Sequence, residues 1–474
     1  MNSLKPSQWV AIGLGLSLAL YFVYFHLQSF GDISFLGGIV LLEIIIASLW
    51  KYEQRFFSLL IITFIWAGID APFRSTWSAG RWVVLFAGAV VGFVIWTRNL
   101  RRPFGSLHLI AFFCVCAAFV SATVSQYVRM ASLKASSLAL LFLYCASGAR
   151  VAFLGRETRF FNGLLWGSEI AVYVTAFCYF GLGQQLWGNP NSLGAAMSIG
   201  AFPILLWGWV TAEGLGVKFR RLVALLLCTY LVQFSMARAG MVSITLVTLI
   251  FCVCLRQYKL LVKVTALALL LIAGTGMLAP RLLSERLTDM KDALLYKGHH
   301  EEGILGSRRS PWDATVASIK EHPWFGTGYG TSPTGEDPGL EFGTVSSSAE
   351  TVREHGSSFM AIAEWVGLLG VLPFIAILVA TVLNVWNVCV WMKRTADPRH
   401  YSIPVAMVVL SGLVHANFED WLFAVGSYLS VYFWFFAFLL ADLVPTVVED
   451  PLIVPVSRVS RPLAADFANA VPNR

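Results

Sequence analysis

The sequence predicts an all-α, polytopic integral membrane protein. Its 474 residues are 57% hydrophobic and only 13% charged, and the mean hydropathy of the chain is positive. Apolar windows recur along the chain, and the longer ones reach the ~20 residues that a helix needs to cross a bilayer. The 39 glycines and 17 tryptophans fit this class, because small residues allow transmembrane helices to approach closely and tryptophan favours the membrane interface.

The apolar windows predict about 12 to 14 transmembrane helices and one long polar loop. The windows are 9–27, 33–50, 56–68, 82–96, 106–125, 136–154, 163–181, 193–211, 222–236, 241–255, 260–277, 359–390, 403–414 and 421–440. We expect residues 1–278 to hold the transmembrane helices before the loop, residues 279–355 a structured outer loop with a helix near 312–320, and residues 356–441 the C-terminal helices. Residues 442–474 lack periodicity and are expected to form a disordered cytoplasmic tail.

Basic residues predict how the helices cross the membrane, because short cytoplasmic loops are enriched in Lys and Arg. When every window is taken as a span, the dense basic clusters fall on one side. These clusters are Lys5, Lys51 with Arg55, Arg98 to Arg102, Arg156 with Arg159, Lys218 with Arg220 and Arg221, Arg256 with Lys259, and Lys393 with Arg394 and Arg399. Arg74, Arg81, Arg129 and Lys134 fall on the opposite side. Both termini are therefore expected to be cytoplasmic, with loop 279–355 on the opposite side. The net charge of +7 is then mainly a signal of topology, and no nucleic-acid partner is expected.

Polar motifs gather on the side opposite the basic clusters. They are GNPNSLG at 188–194, SMARAG at 235–240, GSRRSPW at 306–312, HPWFGTG at 322–328 and HGSSFMAIAEWVGLLG at 355–370. In this order they resemble the O-antigen ligase and polymerase superfamily. These are bacterial membrane glycosyltransferases that take glycans from undecaprenyl pyrophosphate on the periplasmic face of the inner membrane. The resemblance spans residues 187–370, and NFEDWLF at 417–423 resembles the exopolysaccharide members.

Two positions depart from the family pattern. The family usually has Asn, Ser or Gln after this histidine, where the chain has Gly356, and Gly367 lies one residue later than usual. The sequence therefore does not fix the residue at which the helix after His355 begins.

The resemblance implies metal-independent, inverting glycosyl transfer, with His355 as the catalytic base. His355 is expected to face water at the bilayer boundary and to withdraw the proton of an acceptor hydroxyl, since imidazole titrates in the right range. Arg238 and Arg308 match the arginines of the family motifs and would bind the pyrophosphate by bidentate contacts. The alternatives are that His355 only caps the next helix and that Arg308 is a solvated loop residue.

Three further residues are expected to support the site. Glu364 lies at an apolar span, where a charge is expensive and often functional, and should pair with a basic group. Glu419 is a second such acid. Asn191 flanks a proline turn, where helix capping is at least as plausible as substrate contact. Two other acids, Glu43 and Glu169, are left without an account.

No metal or cofactor is expected. His299, His300, Glu301 and Glu302 are consecutive, not one helical turn apart, and are interpreted as solvated loop. The eight cysteines all fall within apolar windows, which favours packing over disulfides or metal binding.

The expected partners are an undecaprenyl pyrophosphate-linked glycan as donor, a glycan or lipid A core as acceptor, and membrane lipids. Ligation and polymerisation use the same chemistry and are not separated by the sequence. The alternative functions are a lipid-linked oligosaccharide flippase or other transporter, which should show internal repeats or midplane charges, and a non-enzymatic membrane scaffold.

Overall fold

A computed structural model describes residues 56–69, 74–98, 103–259, 261–262, 306–332 and 354–445 of the chain. These residues form helices and connecting turns, with no strand among them, so the predicted all-α class is confirmed. Windows 9–27 and 33–50, most of window 260–277, the loop segments 279–305 and 333–353, and the tail after residue 445 lie outside the described residues. So do Glu43 and the His299–Glu302 segment.

The helices are labelled α1 to α12 in chain order. They are α1 (Phe56–Gly68), α2 (Arg74–Arg98), α3 (Ser106–Thr123), α4 (Val128–Phe153), α5 (Glu157–Gly181), α6 (Pro190–Val210), α7 (Leu215–Phe234), α8 (Arg238–Cys254), α9 (Gly306–Glu321), α10 (Ser358–Thr395), α11 (Ser402–His415) and α12 (Tyr428–Leu443). Among the described residues, six helices are long and apolar enough to cross a membrane, and four shorter ones are apolar. The chain is a multi-pass membrane protein.

Polar contacts join several helix ends into one surface, which we call the site face. Arg308 of α9 pairs with Glu419 in the α11–α12 connection, at 2.7 Å. Asn191, at the start of α6, donates to the same carboxylate at 3.1 Å. The hydroxyl of Tyr428, which opens α12, donates to the carbonyl of Ser192 at 3.2 Å. The starts of α6, α9 and α12 therefore meet on one face.

The opposite helix ends form a second surface, which we call the basic face. Arg150 of α4 binds Asp442 of α12 at 2.8 Å, and the indole of Trp207 in α6 donates to the carbonyl of Pro398. The basic clusters at Arg98, at Arg156 with Arg159, and at Lys393 with Arg394 and Arg399 lie at helix ends on this face. The basic clusters of the described residues therefore lie at the same helix ends.

The cluster around Arg220 corrects one predicted boundary. Arg220 and Arg221 were expected in a loop before residue 222, but α7 already begins at Leu215, so both lie within this helix. Glu169 of α5 is buried, with 2% of its side chain exposed, and pairs with Arg220 at 2.8 Å and Arg221 at 3.6 Å. This pairing offsets the cost of a buried carboxylate and accounts for Glu169.

The centre of the bundle is α12, in which Phe433 to Phe438 are all buried. A helix that is apolar on every side belongs in the interior. Its start was predicted at residue 421, which is wrong, because Ser427 caps the helix by accepting from the backbone N–H of Leu429 and the helix begins at Tyr428. Residues 416–427 are instead a connection on the site face.

Helix α10 is broken where window 359–390 predicted a continuous span. Gly367 has φ +66° and ψ −178°, outside the helical region. Segment 323–328, from the HPWFGTG motif, fills the break with four backbone hydrogen bonds. Thr327 and Gly328 donate to the carbonyls of Glu364 and Trp365 (3.0 and 3.1 Å), and Leu368 and Leu369 donate to those of Pro323 and Trp324 (2.8 and 3.1 Å). The motif therefore fixes the first part of α10, residues 358–366, which carries Glu364.

Gly367→Ala is expected to lower the thermal unfolding midpoint of the detergent-purified protein. A Cβ at Gly367 would lie 2.5 Å from backbone atoms of Trp324 and Gly326, and the backbone conformation alone costs a non-glycine residue about 1–3 kcal/mol. Gly163→Ala in α5 is the control, because its Cβ would meet no atom within 4 Å and alanine favours helix. Equal unfolding midpoints for the two variants would contradict the close packing of segment 323–328 into the break at Gly367.

Candidate active site

His355 lies at the centre of the site face and is completely buried. Its Nδ1 atom is 3.2 Å from Oδ2 of Asp420, and its backbone N–H donates to the same oxygen at 3.0 Å. Its Nε2 atom is 3.4 Å from Oε2 of Glu364 and 3.4 Å from Oγ of Ser332. Trp365 packs edge-on against the ring. The expectation that His355 faces water is wrong, because two carboxylates and an indole enclose the imidazole.

The two carboxylates set the electrostatics of His355. Burial is the largest influence and lowers the pKa of the imidazole, but hydrogen bonds with Asp420 and Glu364 raise the pKa above its ordinary value of 6.5. Burial raises the pKa of Asp420, and its hydrogen bonds with His355 more than reverse this, so the pKa of Asp420 is lowered. Asp420 therefore stays ionised against Nδ1 and holds the ring orientation.

Backbone contacts at the start of α10 hold His355 next to the α11–α12 connection. The N–H of Ser358 donates to the carbonyl of Ala416, and the Ser358 hydroxyl donates to the carbonyl of Glu419 at 2.6 Å. The same hydroxyl accepts from the N–H of Leu422. These bonds bring Asp420 to His355 although the two residues are 65 positions apart in sequence.

The departure at Gly356 has a geometric explanation. Gly356 has φ +66°, and a Cβ there would lie 3.0 Å from Cδ of Arg308 and 3.4 Å from the indole nitrogen of Trp312. The glycine thus allows the chain to turn from His355 into α10 while helix α9 packs directly against it.

Arg308 is held by carboxylates and is not a solvated loop residue. Only 14% of its side chain is exposed. It donates to Glu354 at 2.9 Å and to Glu419 at 2.7 Å, and Asn191 donates to the same Glu419 oxygen. Burial is the largest influence on Glu419 and raises its pKa, Arg308 lowers it, and Asp420 and Glu354 add to the increase, so the pKa of Glu419 is raised overall.

Arg238 is the first residue of α8 and lies close enough to Arg308 for electrostatic repulsion between the two guanidinium groups. A cation at a helix N-terminus is also repelled by the positive end of the helix dipole. Two guanidinium groups and a helix N-terminus together form an environment suited to an anion.

The structure brings the six residues singled out in the sequence to the site face. They are His355, Arg238, Arg308, Glu364, Asn191 and Glu419. Asn189, at the same end of α6, has a capping role, because its side chain accepts from the N–H of Ser192 at 2.7 Å. Asp420 was missed in the sequence, although it lies beside Glu419 in the NFEDWLF motif. Only its proximity to His355 reveals it.

No group of three His, Cys, Asp or Glu side chains converges in a metal-binding arrangement within the part of the chain that the structure describes. The arrangement can hold an anion at the arginines and move a proton at His355, on one surface of a membrane protein.

Comparison with known families matches one segment of the chain that contributes residues to this surface. Residues 222–350 match the protein family described as O-antigen ligase, over a segment that contains Arg238 and Arg308 and ends just before His355. No curated protein matches the chain significantly. The chain is therefore a multi-pass membrane protein that carries an O-antigen ligase domain at residues 222–350, and this domain implies that it is a glycosyltransferase.

Proposed function

We propose that the protein transfers a glycan from a polyprenyl pyrophosphate to a sugar hydroxyl, with inversion at the anomeric carbon and without a metal ion. The observation that carries this proposal is the convergence of the buried His355 and its partner Asp420 with Arg308 and Arg238 on one face. A base and an anion-binding group are the two elements that such a displacement requires.

His355 would act as the general base through Nε2. Asp420 holds Nδ1 and the backbone N–H, so Nε2 is the nitrogen left for the acceptor. Its contacts with Glu364 and Ser332 are long, at 3.4 Å, and would give way to the acceptor hydroxyl. The acceptor oxygen forms a bond to the anomeric carbon as its proton passes to Nε2. Attack from the side opposite the leaving group inverts the configuration.

Arg238 and Arg308 would hold the leaving pyrophosphate. The bond from the anomeric carbon to the phosphate oxygen breaks, and its electron pair stays with the pyrophosphate, where two guanidinium groups stabilise the developing charge. Arg308 would exchange its carboxylate partners for phosphate oxygens.

The charge difference between the two faces supports a periplasmic site in the bacterial inner membrane. With the basic face in the cytoplasm, the site face meets the periplasm, where an undecaprenyl pyrophosphate-linked glycan and an acceptor glycan or lipid A core would both reach it. Membrane lipids would surround α10, which exposes Leu372, Ile375 and Trp386.

The test is glycan transfer by the purified protein from a synthetic undecaprenyl pyrophosphate oligosaccharide, with and without a chelator. Retained activity with the chelator and an inverted anomeric configuration in the product, determined by NMR, are expected. A ladder of products would indicate a polymerase, and a single addition a ligase. Absence of transfer to every acceptor, together with movement of the lipid across vesicles, would replace the proposal with a transporter.

The pH dependence of kcat/KM is expected to show an acid limb with an inflection above 6.5. The base must be neutral, and because the folded pKa of His355 is raised, activity falls as the pH drops through that value. The free energy of unfolding has the opposite pH trend. The contribution of protonated His355 paired with Asp420 and Glu364 is fully present below the pKa of an unfolded histidine, and it is lost as the pH rises through the folded pKa of His355.

Glu364→Gln should move this inflection to lower pH, because one of the two carboxylates that raise the pKa is removed. Glu354→Gln is the control, since Glu354 contacts Arg308 and not the imidazole. An inflection that is unchanged in Glu364→Gln would contradict the assignment of this limb to His355.

A further inference from the structure

His415, the last residue of α11, is a buried histidine that the proposed chemistry does not use. Its Nδ1 atom lies 3.1 Å from the indole nitrogen of Trp421. An indole N–H can only donate, so Nδ1 of His415 must accept and carries no proton. The single proton of the ring is therefore on Nε2, and Trp421 fixes this tautomer.

The Nε2–H group of His415 is a hydrogen-bond donor directed at no acceptor in the described part of the chain. The atom is buried and has no hydrogen-bond partner there. A buried donor without an acceptor costs free energy. Such donors are therefore rare in native proteins, and each calls for an explanation. A purely structural histidine at this position would be expected to use both ring nitrogens.

The surroundings of His415 indicate which kind of acceptor would bind its Nε2–H group. Arg308 is close enough to act electrostatically on the ring, and Arg308 also acts on Arg238. Both guanidinium groups are donors without acceptor capacity. The neighbouring Ala416 carbonyl is already occupied by the N–H of Ser358. The Nε2–H donor of α11 thus lies near Arg308 of α9, which already binds carboxylate oxygens, so an oxyanion is the acceptor chemistry that fits this position.

We infer that His415 is a substrate-binding residue whose Nε2–H donates to a phosphate oxygen of the lipid pyrophosphate beside Arg308. The inference rests on the proposed function and extends it by one binding residue. Trp421 is then a positioning residue, because it selects the tautomer that can donate.

The test compares His415→Asn with His415→Gln. The shorter Asn side chain can still accept from Trp421 but does not reach the position of Nε2, whereas the Gln amide nitrogen reaches it and donates. The two side chains differ by one methylene, so damage to folding that is common to both cancels in the comparison. Binding of undecaprenyl pyrophosphate and of inorganic pyrophosphate is measured alongside KM and kcat for transfer.

His415→Asn is expected to raise Kd and KM for the lipid pyrophosphate about tenfold or more, with a smaller change in kcat, as for loss of one hydrogen bond to a charged group. His415→Gln should stay within about threefold of the wild type. Parallel weakening for inorganic pyrophosphate would assign the contact to the phosphates, and weakening for the lipid alone would overturn that assignment.

Two results would overturn the inference. The first is an Asn variant that binds like the wild type, and the second is a folded Gln variant that has lost more than about tenfold in affinity. If His415→Asn does not fold, the affinity of the His415→Gln variant for the lipid pyrophosphate decides whether the inference holds. A wild type that neither binds nor transfers the lipid pyrophosphate would instead overturn the proposed function, so the two failures are distinct.

Discussion

His355→Asn is expected to lower kcat for glycan transfer by about 10²–10⁴-fold, the range that general-base catalysis contributes. The Asn amide can still donate to Asp420, so this carboxylate keeps a partner, but the imidazole that would take the acceptor proton is gone. Binding of the lipid pyrophosphate should change little, since His355 acts on the acceptor. Initial rates at saturating donor and isothermal binding of the donor measure the two effects separately.

His322→Ala is the matched control, because His322 belongs to the same predicted loop but is exposed to solvent. It should leave kcat unchanged. Asp420→Asn should give a loss smaller than that of His355→Asn, since the ring keeps its base but loses its fixed orientation. A His355→Asn protein that retains more than about a tenth of the wild-type kcat would rule out His355 as the base.

Arg238→Ala is expected to lower kcat/KM by about 10²–10³-fold, comparable to the removal of one preorganised donor at a developing charge. Both KM for the donor and kcat should change, because the guanidinium binds the pyrophosphate before the reaction and stabilises its charge as the bond breaks. Arg238→Lys should recover part of the loss, since a lysine keeps the charge but not the bidentate geometry.

Arg309→Ala is the control for Arg238→Ala. Arg309 adjoins Arg308, but 73% of its side chain is exposed, and its contact with Asp313 at 4.0 Å is a surface pair of small energetic value. Its replacement should leave kcat/KM within about twofold. Equal losses for Arg238→Ala and Arg309→Ala would indicate a general effect of surface charge and would contradict the proposed binding of pyrophosphate by Arg238.

Part of the fold could be predicted because its signals are local. Hydrophobic windows of sufficient length identify helices whatever their neighbours are, so α3 (Ser106–Thr123), α8 (Arg238–Cys254) and α11 (Ser402–His415) agree closely with windows 106–125, 241–255 and 403–414. The errors occur where hydropathy does not change at a boundary. Trp421 to Val425 are largely apolar but form a connection, because Ser427 caps the next helix.

The candidate site likewise contains residues that the sequence identified and partners that only the structure revealed. The resemblance of the motifs pointed to His355, Arg238 and Arg308, and their position on one side of the predicted bundle followed from counting spans. The partners of these residues did not follow, since Asp420 meets His355, and Glu419 meets Arg308, only through the packing of α9 and α10 against the α11–α12 connection.

The sequence by itself determined that this is a multi-pass membrane protein, because a long apolar helix satisfies its own backbone hydrogen bonds in lipid and each such window marks a span. It also determined the charge difference between the two faces and the resemblance to a glycosyltransferase family. The tertiary structure decided that His355 is enclosed by two carboxylates, that Gly367 breaks α10 and that His415 presents a single donor. The contact between His355 and Asp420 joins residues 65 positions apart. The break in α10 rests on the backbone angle of Gly367 and on its bonds to segment 323–328, and no local periodicity encodes either feature.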